Sequence, residues 1–475
     1  MGALRDKALI GFVWSFVEKA SVRGVSFIIG LLLARLLSPS DYGLIGMLAI
    51  LMSVSQIFIE SGFSKALVQK QDRNEVDFST VFYFNIGVAI LFYFVLFCFA
   101  PIVADFYAEP SLCTILRVLA INVILGSFNI VQRARLLIKI DFKTLAQVNF
   151  ISTLISGLIG VFLAYCNYGV WALVYQTLLC TCLISVLLSA FTRWCPQWVF
   201  SFRSLKSMFS FGVNLLFAGI YAVVLDNIYT IAIGKRFHAS ELGYYTRSTQ
   251  ITDVAVGMIG EILNAVTYPL FASIQSDRKR LATVYSKMLS MTAFIVFPVM
   301  TLLAVLAFPL VRLVLTDKWL SAVPLIQWLC FARILTPISV LNMNILNAIG
   351  RSDLYLKVDL MKLPVIVLTM IFTIPLGVKA VVVGNLVSTI ICYFINTYYP
   401  GKLFGYGGFK QLKGCIKIIL STGCMVMVLI PVLNICTSCL EQLIVGVLLG
   451  PLIYIVVAYL GKVEDLSEII KVIKR

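Results

Sequence analysis

Apolar segments long enough to cross a lipid bilayer recur along the whole chain. Of the 475 residues, 60% are hydrophobic and 13% are charged, whereas a soluble domain has roughly half and a quarter. A chain with so few polar residues cannot cover a surface in water, so most of its outside must face lipid. The composition therefore predicts an all-α polytopic membrane protein without an extramembrane catalytic domain.

Charged residues, glycine and proline divide these segments into about fourteen predicted transmembrane helices. The predicted spans are roughly 10–34, 43–66, 79–104, 113–132, 145–166, 170–190, 208–233, 244–270, 286–309, 323–347, 360–377, 380–398, 415–433 and 441–461. An even number of spans places both termini on the same side of the membrane.

The distribution of lysine and arginine orients this layout. Of the 38 basic residues, 27 lie in or beside alternate connections and six lie in the other set. Because basic residues concentrate on the cytoplasmic side, the bias predicts cytoplasmic termini. The net charge of +16 is spread over short inner connections, so no nucleic-acid partner is predicted. Two inner connections, 193–207 and 399–413, look amphipathic and are predicted to lie along the inner leaflet.

Four short patterns recur in the same order, about 200 residues apart. The pairs are Ser40-Asp-Tyr-Gly43 with Ser240-Glu-Leu-Gly243, Arg117-Val-Leu with Arg333-Ile-Leu, Arg133-x5-Lys139-x-Asp141 with Arg351-x5-Lys357-x-Asp359, and Gly169-Val-Trp-Ala172 with Gly377-Val-Lys-Ala380. They predict two six-helix lobes, 1–205 and 206–400, followed by an amphipathic connection, two more helices and a short cytoplasmic tail in 401–475. Repeated lobes are typical of alternating access.

The sequence also resembles a known family. The segments Glu18-Lys-Ala-Ser-Val-Arg-Gly24, Leu33-Ala-Arg-Leu-Leu-Ser-Pro-Ser-Asp-Tyr-Gly43 and Gly62-Phe-Ser-Lys-Ala-Leu67 are similar to the polysaccharide transporter family of the multidrug/oligosaccharidyl-lipid/polysaccharide exporter superfamily. The resemblance implies a fold like that of multidrug exporters of this superfamily. It also implies a flippase for undecaprenyl-diphosphate-linked oligosaccharides in the bacterial cytoplasmic membrane, with a polysaccharide polymerase as a candidate partner in the same pathway.

Five basic residues fall inside predicted spans, namely Lys19, Arg23, Arg117, Arg247 and Arg333. A charge at the centre of a span costs about 2.5–3.5 kcal/mol on insertion scales, so each needs a partner or a wet cavity. Since arginine can donate two parallel hydrogen bonds to phosphate, we expect these residues to line a cationic cavity for the lipid diphosphate. The alternative is that they pair with carboxylates or reach the headgroups.

Carboxylates form a second set inside predicted spans, namely Glu18, Glu60, Asp253 and Glu261. Such groups can bind Na⁺ or take up a proton and so couple transport to an ion gradient. They can equally do no more than neutralise the arginines, and the sequence leaves both roles open.

Several other functions find little support in the sequence. Cys436-Thr-Ser-Cys439 occurs beside only one histidine in the chain, which is weak evidence for a metal site. Motifs for nucleotide hydrolysis or proteolysis are absent, so neither an enzyme nor a cofactor is predicted. A drug/cation antiporter and a lipid II flippase of the same superfamily remain alternatives, although the former would be expected to use an acidic cavity.

Overall fold

The computed structural model describes residue 14, residues 21–60 and residues 63–467, and every regular element in these ranges is a helix. The helices are α1 (described over 21–36), α2 (Pro39–Glu60), α3 (Phe63–Gln69), α4 (Glu75–Tyr107), α5 (Ser111–Leu119), α6 (Ile121–Ser127), α7 (Ile130–Ile138), α8 (Phe142–Tyr165), α9 (Val170–Thr192), α10 (Phe202–Arg236), α11 (Ala239–Ser273), α12 (Arg278–Val305), α13 (Ala307–Leu310), α14 (Val323–Ile334), α15 (Thr336–Ala348), α16 (Ser352–Thr373), α17 (Val378–Phe404), α18 (Gly408–Gly414), α19 (Ile416–Ile435) and α20 (Cys439–Leu460). A π-helical turn, Val311–Leu315, and a 3₁₀ helix, Asp317–Ala322, connect α13 to α14.

Eleven helical segments within the described ranges are long and apolar enough to cross a membrane. The chain is therefore a multi-pass membrane protein, and the predicted all-α polytopic fold is confirmed. The count of fourteen spans stays a prediction. Its first span lies partly outside the described residues, and 208–233 and 244–270 fall on α10 and α11, which are not among the eleven and contain side chains outside the described residues.

Contacts divide the chain into two compact units, Met1–Gly243 and Tyr244–Arg475. In the first unit α8 pairs with α9, and α10 packs on α2 and α4. In the second, α16 pairs with α17, α12 packs on α14, and the last helices, α19 and α20, pair with each other. The predicted lobe boundaries at 205/206 and 400/401 stay a prediction.

Three of the four repeated patterns fall at corresponding places in the helices. The first opens α2 and α11, the arginines of the second lie in the last turns of α5 and α14, and the glycines of the fourth precede α9 and α17 with positive φ, +56° and +103°. The third match is wrong. Arg133 lies inside α7, whereas Arg351 precedes α16, and the corresponding turns are those at Ile140 and Gly350.

The two glycines of the first repeated pattern mark a very close helix crossing. A Cβ added at Gly43 would lie 1.7 Å from the carbonyl oxygen of Ala239, and one added at Gly243 would lie 1.8 Å from that of Pro39. All four residues belong to the first unit. Glycine lets two helix backbones approach this closely because it has no side chain to separate them.

Backbone N–H groups of the connection between α9 and α10 form hydrogen bonds with side chains of α4. The N–H of Gln197 donates to Oγ of Ser79 at 3.0 Å, and the N–H of Ser201 donates to Oγ1 of Thr80 at 3.1 Å. Residues 193–201 form no helix, so this part of the predicted amphipathic connection is irregular. Two of its backbone donors are satisfied by α4 side chains, and its position along the inner leaflet stays a prediction.

A cluster around Glu75 strengthens the same attachment. The Glu75 carboxylate accepts hydrogen bonds from the Trp194 indole at 2.8 Å and from Nη1 of Arg135 at 2.8 and 3.0 Å. The Arg135 guanidinium also lies over the Trp194 ring, 5.5 Å from its centroid. The start of α4, the end of α7 and the connection therefore share one charged hydrogen-bond network.

In the second unit, a buried polar network joins α12, α15 and α18. The Tyr285 hydroxyl donates to Oδ1 of Asn342, and Nε2 of Gln411 donates to the same oxygen at 2.9 Å and to the carbonyl of Tyr406 at 3.0 Å. Gln411 is buried at 2% exposure. It thus connects the short helix α18 to the core of the second unit.

Replacing Gln411 by alanine should destabilise the protein by about 1–3 kcal/mol, because it leaves buried partners of the amide without a hydrogen bond. Thermal unfolding of the purified protein in detergent measures this change. Gln69→Ala at an exposed position is the matched control and should leave the unfolding temperature unchanged. Equal unfolding temperatures for the two variants would contradict a stabilising role for the network.

Candidate functional site

Two of the predicted site residues, Arg333 and Asp253, form an ion pair in the second unit. Nε of Arg333 lies 2.7 Å from Oδ1 of Asp253, and Nη2 donates to Oδ2 at 3.5 Å. Arg333 comes from the last turn of α14, and Asp253 comes from α11. The alternative derived from the sequence, that an intramembrane arginine pairs with a carboxylate, is therefore realised at this position.

This ion pair lies deep along its span and is still accessible. Arg333 is near the middle of the segment Asp317–Ala348, which is long and apolar enough to cross a membrane. The side chains are 29% and 53% exposed for Arg333 and Asp253, respectively. A charge near the middle of a span is costly against lipid, so a hydrated surface stays the expected setting for this pair.

The pair leaves Arg333 able to bind an anion. A guanidinium has five N–H donors in a planar fork, and two nitrogens of Arg333 face Asp253. A phosphate group could engage the remaining donors or exchange with the carboxylate. The oxygens of carboxylate and phosphate both match the spacing of the guanidinium N–H groups.

Arg247 lies two turns into α11 and is buried, with 5% exposure. Its Nη1 donates to Oε1 of Gln250 at 2.9 Å, so a neutral amide on the same helix orients the guanidinium. Sequence reasoning missed Gln250 as a partner, although its spacing of three residues places the two side chains on one helix face.

Arg117, the counterpart of Arg333 in the first unit, has different neighbours. Its Cζ lies 4.4 Å from the centroid of the Phe97 ring, and its Nε donates to the carbonyl of Phe97 at 3.4 Å. Among the described residues it forms no ion pair with a carboxylate. A cation over an aromatic face is stabilised by the ring, so Phe97 provides a favourable contact for the Arg117 guanidinium.

The remaining predicted site residues are less fully described. Lys19 and Glu18 lie outside the described residues, as do the side chains of Glu60 and Glu261. Arg23 is an exposed residue of α1. Within the described side chains, direct contact between two predicted site residues is seen for Arg333 and Asp253. The cationic cavity as a whole stays a prediction.

Comparisons with known proteins place the chain among polysaccharide biosynthesis proteins. The family described as "Polysaccharide biosynthesis protein" matches residues 32–324. The teichuronic acid biosynthesis protein TuaB of Bacillus subtilis is 26% identical, over 74% of this chain and 74% of that protein. The lipopolysaccharide biosynthesis protein WzxC of Escherichia coli is 22% identical over 83% and 81% of the two chains. The succinoglycan biosynthesis transport protein ExoT of Rhizobium meliloti is 24% identical over 69% and 66%.

Solved structures support the fold. The lipid II flippase MurJ in an inward closed conformation has a TM-score of 0.75 at 15% identity, covering 94% of this chain and 98% of that one. An inward-facing multidrug resistance transporter of the same exporter superfamily has a TM-score of 0.62 at 14% identity, covering 82% and 98%. At such identities the likeness concerns the fold alone. The resemblance and the fold predicted from it are confirmed.

Proposed function

Since the chain belongs to the polysaccharide biosynthesis protein family, we propose that it is a flippase for undecaprenyl-diphosphate-linked oligosaccharide repeat units. It moves them from the inner to the outer leaflet of the bacterial cytoplasmic membrane by alternating access, for capsule, O-antigen or exopolysaccharide synthesis. Both termini are cytoplasmic, in line with the distribution of basic residues. Relatives named for lipopolysaccharide biosynthesis and succinoglycan transport support a role in polymeric-sugar export.

The accessible ion pair between Arg333 and Asp253 carries the proposal. It presents a guanidinium at mid-span, where a lipid diphosphate must pass. Arg117 of the first unit contacts the Phe97 ring and Arg247 of the second donates to Gln250, and each is a proposed further contact for the lipid diphosphate. Together with Lys19 and Arg23, they form the proposed substrate site.

Exchange of the Asp253 carboxylate for diphosphate at Arg333 provides a means of coupling transport to an ion gradient. When diphosphate oxygens take over the guanidinium, Asp253 loses its cation partner and can take up H⁺ or Na⁺ in its place. Because the H⁺ and Na⁺ gradients of a bacterial cell point inwards, the ion drives export only if it enters from the outer side as the diphosphate leaves. Release of the ion on the inner side then restores the ion pair. Glu18, Glu60 and Glu261 either share this role or balance the charge of the arginines. The protein acts as a transporter rather than an enzyme and needs no cofactor.

The two alternatives are less well supported. A cation antiporter would have to desolvate its substrate beside intramembrane arginines, which repel it. A lipid II flippase would use the same anion chemistry, but the likeness to that flippase at 15% identity concerns fold, whereas the relatives by sequence are named for other glycans.

Deleting the gene should cause its lipid-linked repeat unit to accumulate, because synthesis continues on the inner leaflet while export stops. Mass spectrometry of extracted lipids measures the accumulated species. We expect an undecaprenyl diphosphate carrying a complete oligosaccharide repeat, inaccessible to a glycosidase added outside spheroplasts.

A strain that lacks the polymerase of the same pathway is the matched control, since it should accumulate the same lipid in a glycosidase-accessible form. Accumulation of lipid II, or of no lipid-linked sugar, in the deletion strain would contradict the proposal.

A further inference from the structure

A small pocket opens at the end of the second unit that carries its basic connections. Its volume is about 210 Å³, below the roughly 300–1,000 Å³ of pockets for drug-sized ligands. The turn between α11 and α12, the turn between α15 and α16, and the last residues of α17 form its walls. Two arginines, a glutamine and an apolar floor line it: Arg278, Arg351, Gln275, Leu281, Leu403 and Phe404.

The two arginines of the pocket are held differently. Arg351 donates to both carboxylate oxygens of Asp353, from Nε and from Nη2, each at 2.8 Å. Asp353 also raises the pKa of Arg351, first through these hydrogen bonds and then through its charge. Three of the five donors of Arg351 remain for another acceptor. In the part of the chain that the structure describes, Arg278 forms no ion pair.

The charge around the pocket is strongly positive. The segments 275–280, 349–353 and 402–404 carry five basic residues and two carboxylates. Both carboxylates are engaged, because Asp353 binds Arg351 and Asp277 accepts the N–H groups of Lys279 and Arg280 at the start of α12. An anion that enters therefore meets donors rather than free carboxylates.

We propose that this pocket binds the phosphate of an anionic phospholipid from the inner leaflet. Arg278 and Arg351 hold the phosphate, and Leu403 and Phe404 contact the glycerol and the first acyl carbons. Basic pockets between transmembrane helices at the cytoplasmic side suit acidic headgroups. The small volume fits a single headgroup and excludes an oligosaccharide, which argues for a bulk phospholipid rather than the transported lipid.

Binding of short-chain phosphatidylglycerol to the purified full-length protein tests the proposal, with native mass spectrometry as the readout. Arg278→Gln and Arg351→Gln should each weaken binding about fivefold and the double variant about 30-fold, at about 1 kcal/mol per basic residue. Phosphatidylcholine, which has no net charge, should bind more weakly and respond less to the substitutions.

Arg280→Gln is the matched control, because Arg280 lies on the same helix but does not line the pocket. Arg280 adds charge near the pocket but no contact, so its substitution should weaken binding less than that of either pocket arginine does. An equal loss in this variant would show diffuse attraction and overturn the proposal. Full competition by inorganic phosphate alone, or tighter binding of undecaprenyl diphosphate through the same arginines, would also overturn it. Arg333→Gln should retain phospholipid binding, so this test is independent of the flippase proposal.

Discussion

Arg333→Gln should lower export of the lipid-linked oligosaccharide about 10- to 150-fold, the equivalent of losing a hydrogen bond to a charged group. The guanidinium lies at mid-span and is paired with an accessible carboxylate. Glutamine retains polarity but removes the charge that attracts the diphosphate. Surface polysaccharide per molecule of membrane-inserted protein is the quantity to measure.

Two further variants separate binding from folding. Arg312 forms an ion pair with Asp317 at 3.1 Å, but both side chains are more than half exposed, so Arg312→Gln should leave export unchanged. The double variant D253N/R333Q removes both charges together but keeps polar side chains at this accessible position. It should fold, since loss of an exposed ion pair costs only about 0–1 kcal/mol. Wild-type export by this double variant would show that the ion pair serves structure alone.

Gly43→Ala should destabilise the first unit by at least about 3 kcal/mol, at or beyond the upper end of the usual cost of overpacking. The new Cβ would lie 1.7 Å from the Ala239 carbonyl oxygen, which is backbone and cannot rotate away. The helices would have to separate by more than about 1 Å at the crossing. Yield of folded protein and its unfolding temperature in detergent measure this loss.

Gly87→Ala provides the comparison for the same chemical change. Gly87 lies inside α4, and an added Cβ there would meet nothing within 4 Å. Alanine is the better helix former by about 1 kcal/mol, so this variant should be as stable as the parent protein or more so. Similar behaviour of the two alanine variants would mean that the helices tolerate wider spacing at Gly43.

The sequence predicted the membrane class and much of the repeat, because both depend on local patterns. Hydropathy indicates which segments form apolar helices. The glycines that precede α9 and α17 indicate positions where the backbone has a positive φ. The failed match between Arg133 and Arg351 illustrates the limit. Similar spacing of charges recurs by chance in basic connections, and only the helix ends reveal which turns correspond.

Which residue each site residue contacts could not be predicted from the sequence, for a different reason. Pairing of the carboxylates with the arginines was an alternative that the sequence left open, but the choice of Asp253 for Arg333 depends on how two helices 80 residues apart pack. The same holds for Gly43 and Gly243. Their pattern was visible in the chain, whereas their contact follows from tertiary packing alone.

The hydrogen bonds between α4 and the connection from α9 to α10 impose an order on folding during synthesis. Ser79 and Thr80 are fully buried, yet their backbone partners follow 118 and 121 residues later in the chain. At about 5–20 residues per second, the ribosome needs roughly 6 to 25 seconds to supply them. During that interval the hydroxyls of Ser79 and Thr80 lack these two partners. The start of α4 thus reaches its final set of hydrogen bonds only after residues 197–201 have been synthesised.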